Sequence, residues 1–182
     1  MRTFNRRGAL RRLGMAGGAV AAPALLGPLA GEATAMRITR SGKIRTEPGA
    51  RERFTGDAYI DRFVEPSAGS NVAASNVRFA PGARTAWHTH PLGQTLVVIE
   101  GVGLCQRRGG PIKVIRPGDV VFFEPGEDHW HGAAPNNFMT HFAVVGADAS
   151  GSTATWGEHV TDREYGRAPR VSRSATRQEQ RG

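Results

Sequence analysis

The sequence predicts an all-β domain, an antiparallel sandwich or barrel. Three observations lead there. Short runs rich in β-branched and aromatic residues recur from about Ser75 onward, spaced by roughly eight to twelve residues with turn signals between them. The chain holds 24 Gly and 11 Pro in 182 residues, which suits tight turns better than a helical bundle. Cys105 is the single cysteine, so no internal disulfide and no cysteine-based zinc site are possible, and the domain must rest on its core.

Taken in order, IDRFVEP (60–66) reads as a strand joining a sheet edge. SNVRF (75–79) is a strand closed by the turn APGAR. QTLVVIEG (94–101) is rich in β-branched residues and stops at Gly101. VGLCQR (102–107) runs into RGGP, a hairpin signal, and IKVI (112–115) is closed by RPGD. VVFFEPGEDH (120–129) is a strand and turn, MTHFAVV (139–145) a long last strand, and TDREYG (161–166) a short helical turn. The reading is one domain over 36–165, with its motif core at 75–146, between a leader (1–35) and a basic tail (166–182) expected to be disordered.

The formal charge of +8 invites a nucleic-acid partner, but its distribution argues against one. Residues 1–35 and 166–182 each carry net +4, and residues 36–165 are neutral. The leader begins with basic residues, continues through a weakly apolar Ala/Gly/Leu stretch and ends at Ala33-Thr34-Ala35. Asn5-Arg6-Arg7-Gly8-Ala9-Leu10-Arg11 resembles the bacterial twin-arginine export signal. Pro23 and Pro28 break a membrane-spanning helix, so no stable membrane insertion is expected after cleavage. The mature chain is expected to start near Met36 and to be periplasmic or secreted. N-terminal sequencing of the cell-envelope fraction checks this, and an intact Met1 in the cytosol would reject it.

Chemistry is concentrated in AWHTHPLGQTL (86–96). All six histidines lie between 88 and 159. On a strand, residues two apart share a face, so His88 and His90 project together. Gln94 opens the next strand past the bend at Pro91-Leu92-Gly93 and can face back towards the pair. EPGEDHWHG supplies His129 from a distant strand. Three histidines and an amide oxygen at such spacing suit one divalent metal ion, and the donor set admits Mn, Fe, Co, Ni or Zn.

This arrangement resembles the cupin family. Its first motif, G-x5-H-x-H-x3-E-x6-G, is matched by Gly82, His88, His90, Gln94 and Gly101, with Gln94 at the glutamate position. Its second, G-x5-P-x-G-x2-H-x3-N, is matched by Gly118, Gly126 and His129, with Glu124 and Ala133 in the proline and asparagine slots. The resemblance implies a small jelly-roll barrel with a divalent metal on His88, His90, Gln94 and His129. ARTAWHTHPLGQTL, PGDVVFFEPGEDHWHGAAP, MTHFAV and WGEHVTDREY further resemble the bacterial manganese-dependent cupins with hydroxynitrile lyase activity. That likeness implies manganese as the metal and cleavage or formation of a carbon–carbon bond in a cyanohydrin or related small hydroxylated compound. A cupin metal-dependent dioxygenase and a non-enzymatic small-molecule-binding cupin are the alternatives. The partner in each is a small molecule, with a homo-oligomer expected and no nucleic acid.

Cyanohydrin cleavage needs a base for the hydroxyl proton and a positive centre for developing charge. His141 is the first candidate base, because alternation puts it on one face with Ala143 and Val145, a small apolar lining. An unperturbed imidazole titrates near 6.5, suited to that task. His131, on the face of His129, is a second acid/base, an anion donor, or a histidine bonded to backbone. Trp130 should face away from the metal, His159 should lie at the surface or in packing, and Cys105 should be a buried small hydrophobe. Trp87, Leu92, Phe123, Phe138 and Phe142 divide between core and pocket wall.

Overall fold

The computed structural model describes residues 36–171; the leader and most of the basic tail lie outside them. Thirteen strands follow a short 3-10 turn at Ser41–Lys43. They are β1 (Thr46–Pro48), β2 (Phe54–Thr55), β3 (Ala58–Val64), β4 (Val72–Phe79), β5 (Arg84–Thr85), β6 (His88–Thr89), β7 (Gln94–Gly101), β8 (Gly103–Arg107), β9 (Lys113–Ile115), β10 (Val120–Phe123), β11 (His129–Ala133), β12 (Met139–Gly146) and β13 (Thr155–Trp156). One helix, α1, spans Asp162–Tyr165. Among the described residues no helix is long and apolar enough to cross a membrane.

Two antiparallel sheets face each other. The first has the order β1-β3-β4-β12-β7-β10; in the second, the path β13-β6-β11-β5-β2 is extended by β8 on β11 and β9 on β8. The long strands the sequence marks most clearly, β4, β7 and β12, sit side by side in the first sheet. Their period-2 pattern sets which residues enter the core: Gln94, Leu96 and Val98 are buried, whereas their outward neighbours are only partly covered. Leu96, Val98, Phe79, Met139 and Phe123 fill the space between the sheets. Burying such a side chain stabilises by about 1.5–3 kcal/mol.

All of HWHGA, β11, is buried. Its inner positions face the other sheet, while Trp130 turns outward, as alternation requires. There Trp130 packs with Trp87, Leu104, Val160 and Tyr165 in a second apolar layer. The chain after β13 is folded over this layer. α1 begins with a capping box between Thr161 and Glu164. The Tyr165 hydroxyl donates to the Ala133 carbonyl at 2.7 Å, and buried Arg84 reaches the Val160 carbonyl and Asp162. Ala168 and Val171 join the same layer, so the packed chain runs beyond residue 165.

Two local irregularities position the site. Gly101 has φ +78°, and a Cβ there would stand 1.9 Å from the Phe138 carbonyl oxygen, so only glycine fits this crossing. Just inside it, the β12–β7 register slips: Thr140 pairs Glu100, but His141 pairs Val98. Ile99 is the extra residue of a β-bulge in β7, and past it His141 pairs with inward-facing Val98. On the outward face of the first sheet, Ile99, Val120 and Phe122 are exposed.

Candidate metal centre

Five histidines and Gln94 converge between the sheets. His88 and His129 pair directly across β6 and β11. His90 lies just past the two-residue β6, and the turn that follows returns the chain so that Gln94 opens β7. His131 follows two positions after His129, and His141 comes from the opposite sheet on β12. All six side chains are buried. The structure brings these residues together, with His90 on a loop and not on the strand of His88.

Three of the imidazoles are held in the same way. Nδ1 of His88 donates to the Ala86 carbonyl at 3.0 Å, Nδ1 of His90 to Thr153 at 2.6 Å, and Nδ1 of His129 to Glu127 at 2.8 Å. A carbonyl can only accept, so each ring carries its proton on Nδ1 and leaves the Nε2 lone pair free. This is the tautomer and orientation that a metal ligand needs. Desolvation by burial pushes the pKa of all three below the ordinary value, and that of His129 to about 4, so they are neutral and competent to ligate. Aromatic faces fix two of the rings: Phe123 stacks on His129 with centroids 3.7 Å apart, and Trp156 stacks on His88 at 4.6 Å.

The fourth donor gives a direct test of fit. Gln94 Oε1 lies 3.0 Å from Nε2 of His129. With the His129 proton on Nδ1, both atoms are acceptors directed at one place, an arrangement that a shared cation would satisfy. The unpaired atoms make the same point. Nε2 of His90 and both ring nitrogens of His131 and His141 are buried with no hydrogen-bond partner among the described residues. Each such atom costs about 1–3 kcal/mol. One of them, Nε2 of His90, belongs to the expected ligand set and would be satisfied by an ion there; the four on His131 and His141 would not. The residues present therefore fit a divalent ion.

The ligand atoms of His88, His129 and His131 all lie within 4.8 Å of one another, a triad able to hold a metal. The expected ligand set has His90 where this compact triad has His131. The two differ in their tethers, since His131 has neither nitrogen bound and only its backbone N–H is held, by Thr85 Oγ1 at 3.1 Å. His131 and His141 meet edge to face at 4.8 Å. Burial pushes His131 well below the ordinary value and His141 to about 3. The expectation of a His141 titrating near 6.5 is corrected here: the ring is fully buried, and its imidazolium form loses its hydration.

These rings open onto a cavity of about 530 Å3 lined by His88, His90, Gln94, His131 and His141. Ala143 and Val145 line it beside His141, as strand alternation predicts. Its other walls were not foreseen. Phe54, Ile60, Val77, Thr85 and Trp156 line it, whereas Leu92 and Phe138 are exposed and Trp87 lies in the outer layer. Trp156 reaches the site because β13 pairs with β6 and sets it opposite His88. No local pattern in the sequence announces that pairing. His159 is exposed, with Nδ1 3.1 Å from Thr55 Oγ1. Cys105 is buried in the core, its thiol pushed up to about 11 by desolvation.

The model of the cupin domain matches residues 75–145. The chain is 51% identical over 132 residues to a protein from Granulicella tundricola named (R)-mandelonitrile lyase, covering 72% of this chain and 100% of that one. The chain belongs to the cupin family. Among solved structures, a cupin-like protein from Thermotoga maritima is similar at 39% identity with a TM-score of 0.64, over 68% of this cupin and 93% of that chain. The polyketide cyclase RemF from Streptomyces resistomycificus, at 18% identity and a TM-score of 0.53, covers 71% of this chain and 90% of its own, and shows the shared fold alone.

Proposed function

We propose that this cupin is a metal-dependent carbon–carbon lyase that cleaves or forms cyanohydrins or closely related small hydroxylated compounds. The observation that carries the reading is a division of labour among five buried histidines: three are tethered through Nδ1 with Nε2 free, and two untethered ones face the same cavity. The 51% identity to a mandelonitrile lyase supports the reaction class.

In this reading His88, His90, His129 and Gln94 hold one divalent ion. Manganese is proposed from the resemblance, since the donor set also suits Fe, Co, Ni and Zn. When bound, the ion supplies a positive centre for the charge that grows on the substrate oxygen. His141 takes the hydroxyl proton of the cyanohydrin. The electron pair of the O–H bond becomes the carbonyl π bond, and the pair of the carbon–carbon bond leaves with cyanide. Cyanide then takes the proton from the imidazolium and departs as hydrogen cyanide, so the cycle balances without an oxidant. Burial makes the imidazolium of His141 unfavourable, so it takes the proton only from a hydroxyl acidified within the site and returns it readily to cyanide. His131, edge to face with His141, serves as donor to the anion on the same side. Val77, Ala143, Val145 and Trp156 keep water from the reacting atoms and receive the organic substituent.

The test is turnover of mandelonitrile by the manganese-loaded chain without oxygen. Release of benzaldehyde and hydrogen cyanide is expected; a requirement for oxygen, or no turnover, would reject the lyase reading. The same assay examines Gln94→Glu. A carboxylate at this position lowers the net charge of the site from about +2 to about +1. Metal should be kept or bound more tightly, and kcat should fall by at least about 10-fold, the effect of about 1.4 kcal/mol on the barrier. Unchanged turnover in a fully metallated Gln94→Glu protein would remove electrostatic control by this position.

A further inference from the structure

Only three charged residues line the cavity, Arg53, Arg62 and Glu65. Arg62 is already neutralised, with Nε 3.2 Å from Glu47 and 3.9 Å from Glu65. Arg53 forms no ion pair with any described residue. Its guanidinium carbon stands 5.4 Å from the centre of the Trp156 ring, and Trp156 in turn stacks on His88 at 4.6 Å. A cation over an indole face is held in place without being neutralised. The two separations bound the distance from the guanidinium to the His88 ring at about 10 Å. The wall between is apolar, formed by Phe54 and Trp156.

We propose that Arg53 is a specificity-determining residue, and that the cavity takes a substrate with an anionic group, a carboxylate, at the end remote from the histidines. The inference rests on the proposed lyase reading for the reacting end of the molecule and adds the chemistry of its other end. Three physical points lead to it. An exposed edge of the cavity carries a guanidinium, that of Arg53, with no ion-pair partner among the described residues. A guanidinium fork matches a carboxylate bidentately, and its place over the Trp156 ring reduces the freedom lost on binding. The guanidinium lies no more than about 10 Å from the His88 ring, so a carboxylate on it and a reacting carbon at the histidines belong to one small molecule. The substrate class is therefore a hydroxynitrile, or the matching aldehyde, carrying a carboxylate across a flat apolar body.

The experiment uses the full, manganese-loaded chain and two aldehydes of the same body, 4-formylbenzoate and its methyl ester. Their binding is measured by calorimetry at low and at 0.5 M salt, and turnover of their cyanohydrins is followed in parallel. Wild-type protein should bind 4-formylbenzoate at least about 10-fold more tightly than the ester, with the preference shrinking in high salt. Arg53→Gln should erase the preference while leaving affinity for the ester within about 2-fold, and Arg53→Lys should keep part of it. In turnover the loss should fall on KM, with kcat little changed. Equal affinity of wild-type protein for acid and ester, or a preference that survives in Arg53→Gln, would overturn the proposal. Because binding is read without catalysis, a protein that prefers the acid through Arg53 but cleaves neither cyanohydrin would uphold the anion subsite and reject the lyase reading. The converse result would reject the subsite alone.

Discussion

His141→Ala is expected to keep its metal and to lose turnover by about 10²–10⁴-fold, the usual contribution of one positioned base. His141 stands on β12, across the cavity from the tethered rings, and neither of its nitrogens is committed to a described partner. Its removal should therefore not unfold the protein. The variant loses a buried imidazole whose polar atoms are unsatisfied, and it gains a small apolar space. The first effect stabilises and the second destabilises, each by about 1–3 kcal/mol. The melting temperature should consequently shift by only a few degrees. Measuring kcat, metal content and melting temperature on one preparation separates catalysis from support. A folded, metallated His141→Ala protein with wild-type kcat would remove His141 from the mechanism and leave His131 as its base.

The second large effect concerns the metal itself. His88→Ala, His90→Ala and His129→Ala should each lower metal affinity by more than the about 10–100-fold that loss of a supporting contact costs. His131→Ala should retain metal and lose activity. The contrast between His90 and His131 is the decisive one. The ligand atoms of His131 lie within 4.8 Å of those of His88 and His129, although by ring centres His90 is the nearer to both. The tether of His90 through Nδ1 to Thr153 is the device that presents a ligand, and His131 has no such tether. Metal analysis in which His131→Ala is empty and His90→Ala is full would assign the centre to the compact triad instead. A chelator should also lower the melting temperature of the wild-type protein, because bound metal stabilises the folded state by mass action.

Much of this was legible in the sequence, for reasons that differ from residue to residue. Alternation along β7 and β12 marks Gln94, Leu96 and Val98 as inward, and places Ala143 and Val145 beside His141, because a strand offers its side chains only two faces. The spacing of His88, His90, Gln94 and His129 is legible because the turn between β6 and β7 is short, so local geometry nearly determines where the chain returns. α1 was also readable, since Thr161 and Glu164 form a capping box within four residues.

What only the tertiary structure decided depends on contacts between distant parts of the chain. Trp156 is placed against His88 by the β13–β6 pairing, and Arg53 is placed against Trp156 by the chain entering β2. Strand pairing across such separations has no short-range pattern. The bulge at Ile99 arises from the pairing of two strands distant in sequence, β7 and β12. The acid–base character of His141 was likewise out of reach. The sequence by itself determined an antiparallel β barrel with histidines and Gln94 brought together between its sheets. Only the folded chain decided that His141 is wholly buried and pushed to about 3, because a pKa follows from the surroundings of a side chain and not from its neighbours in sequence.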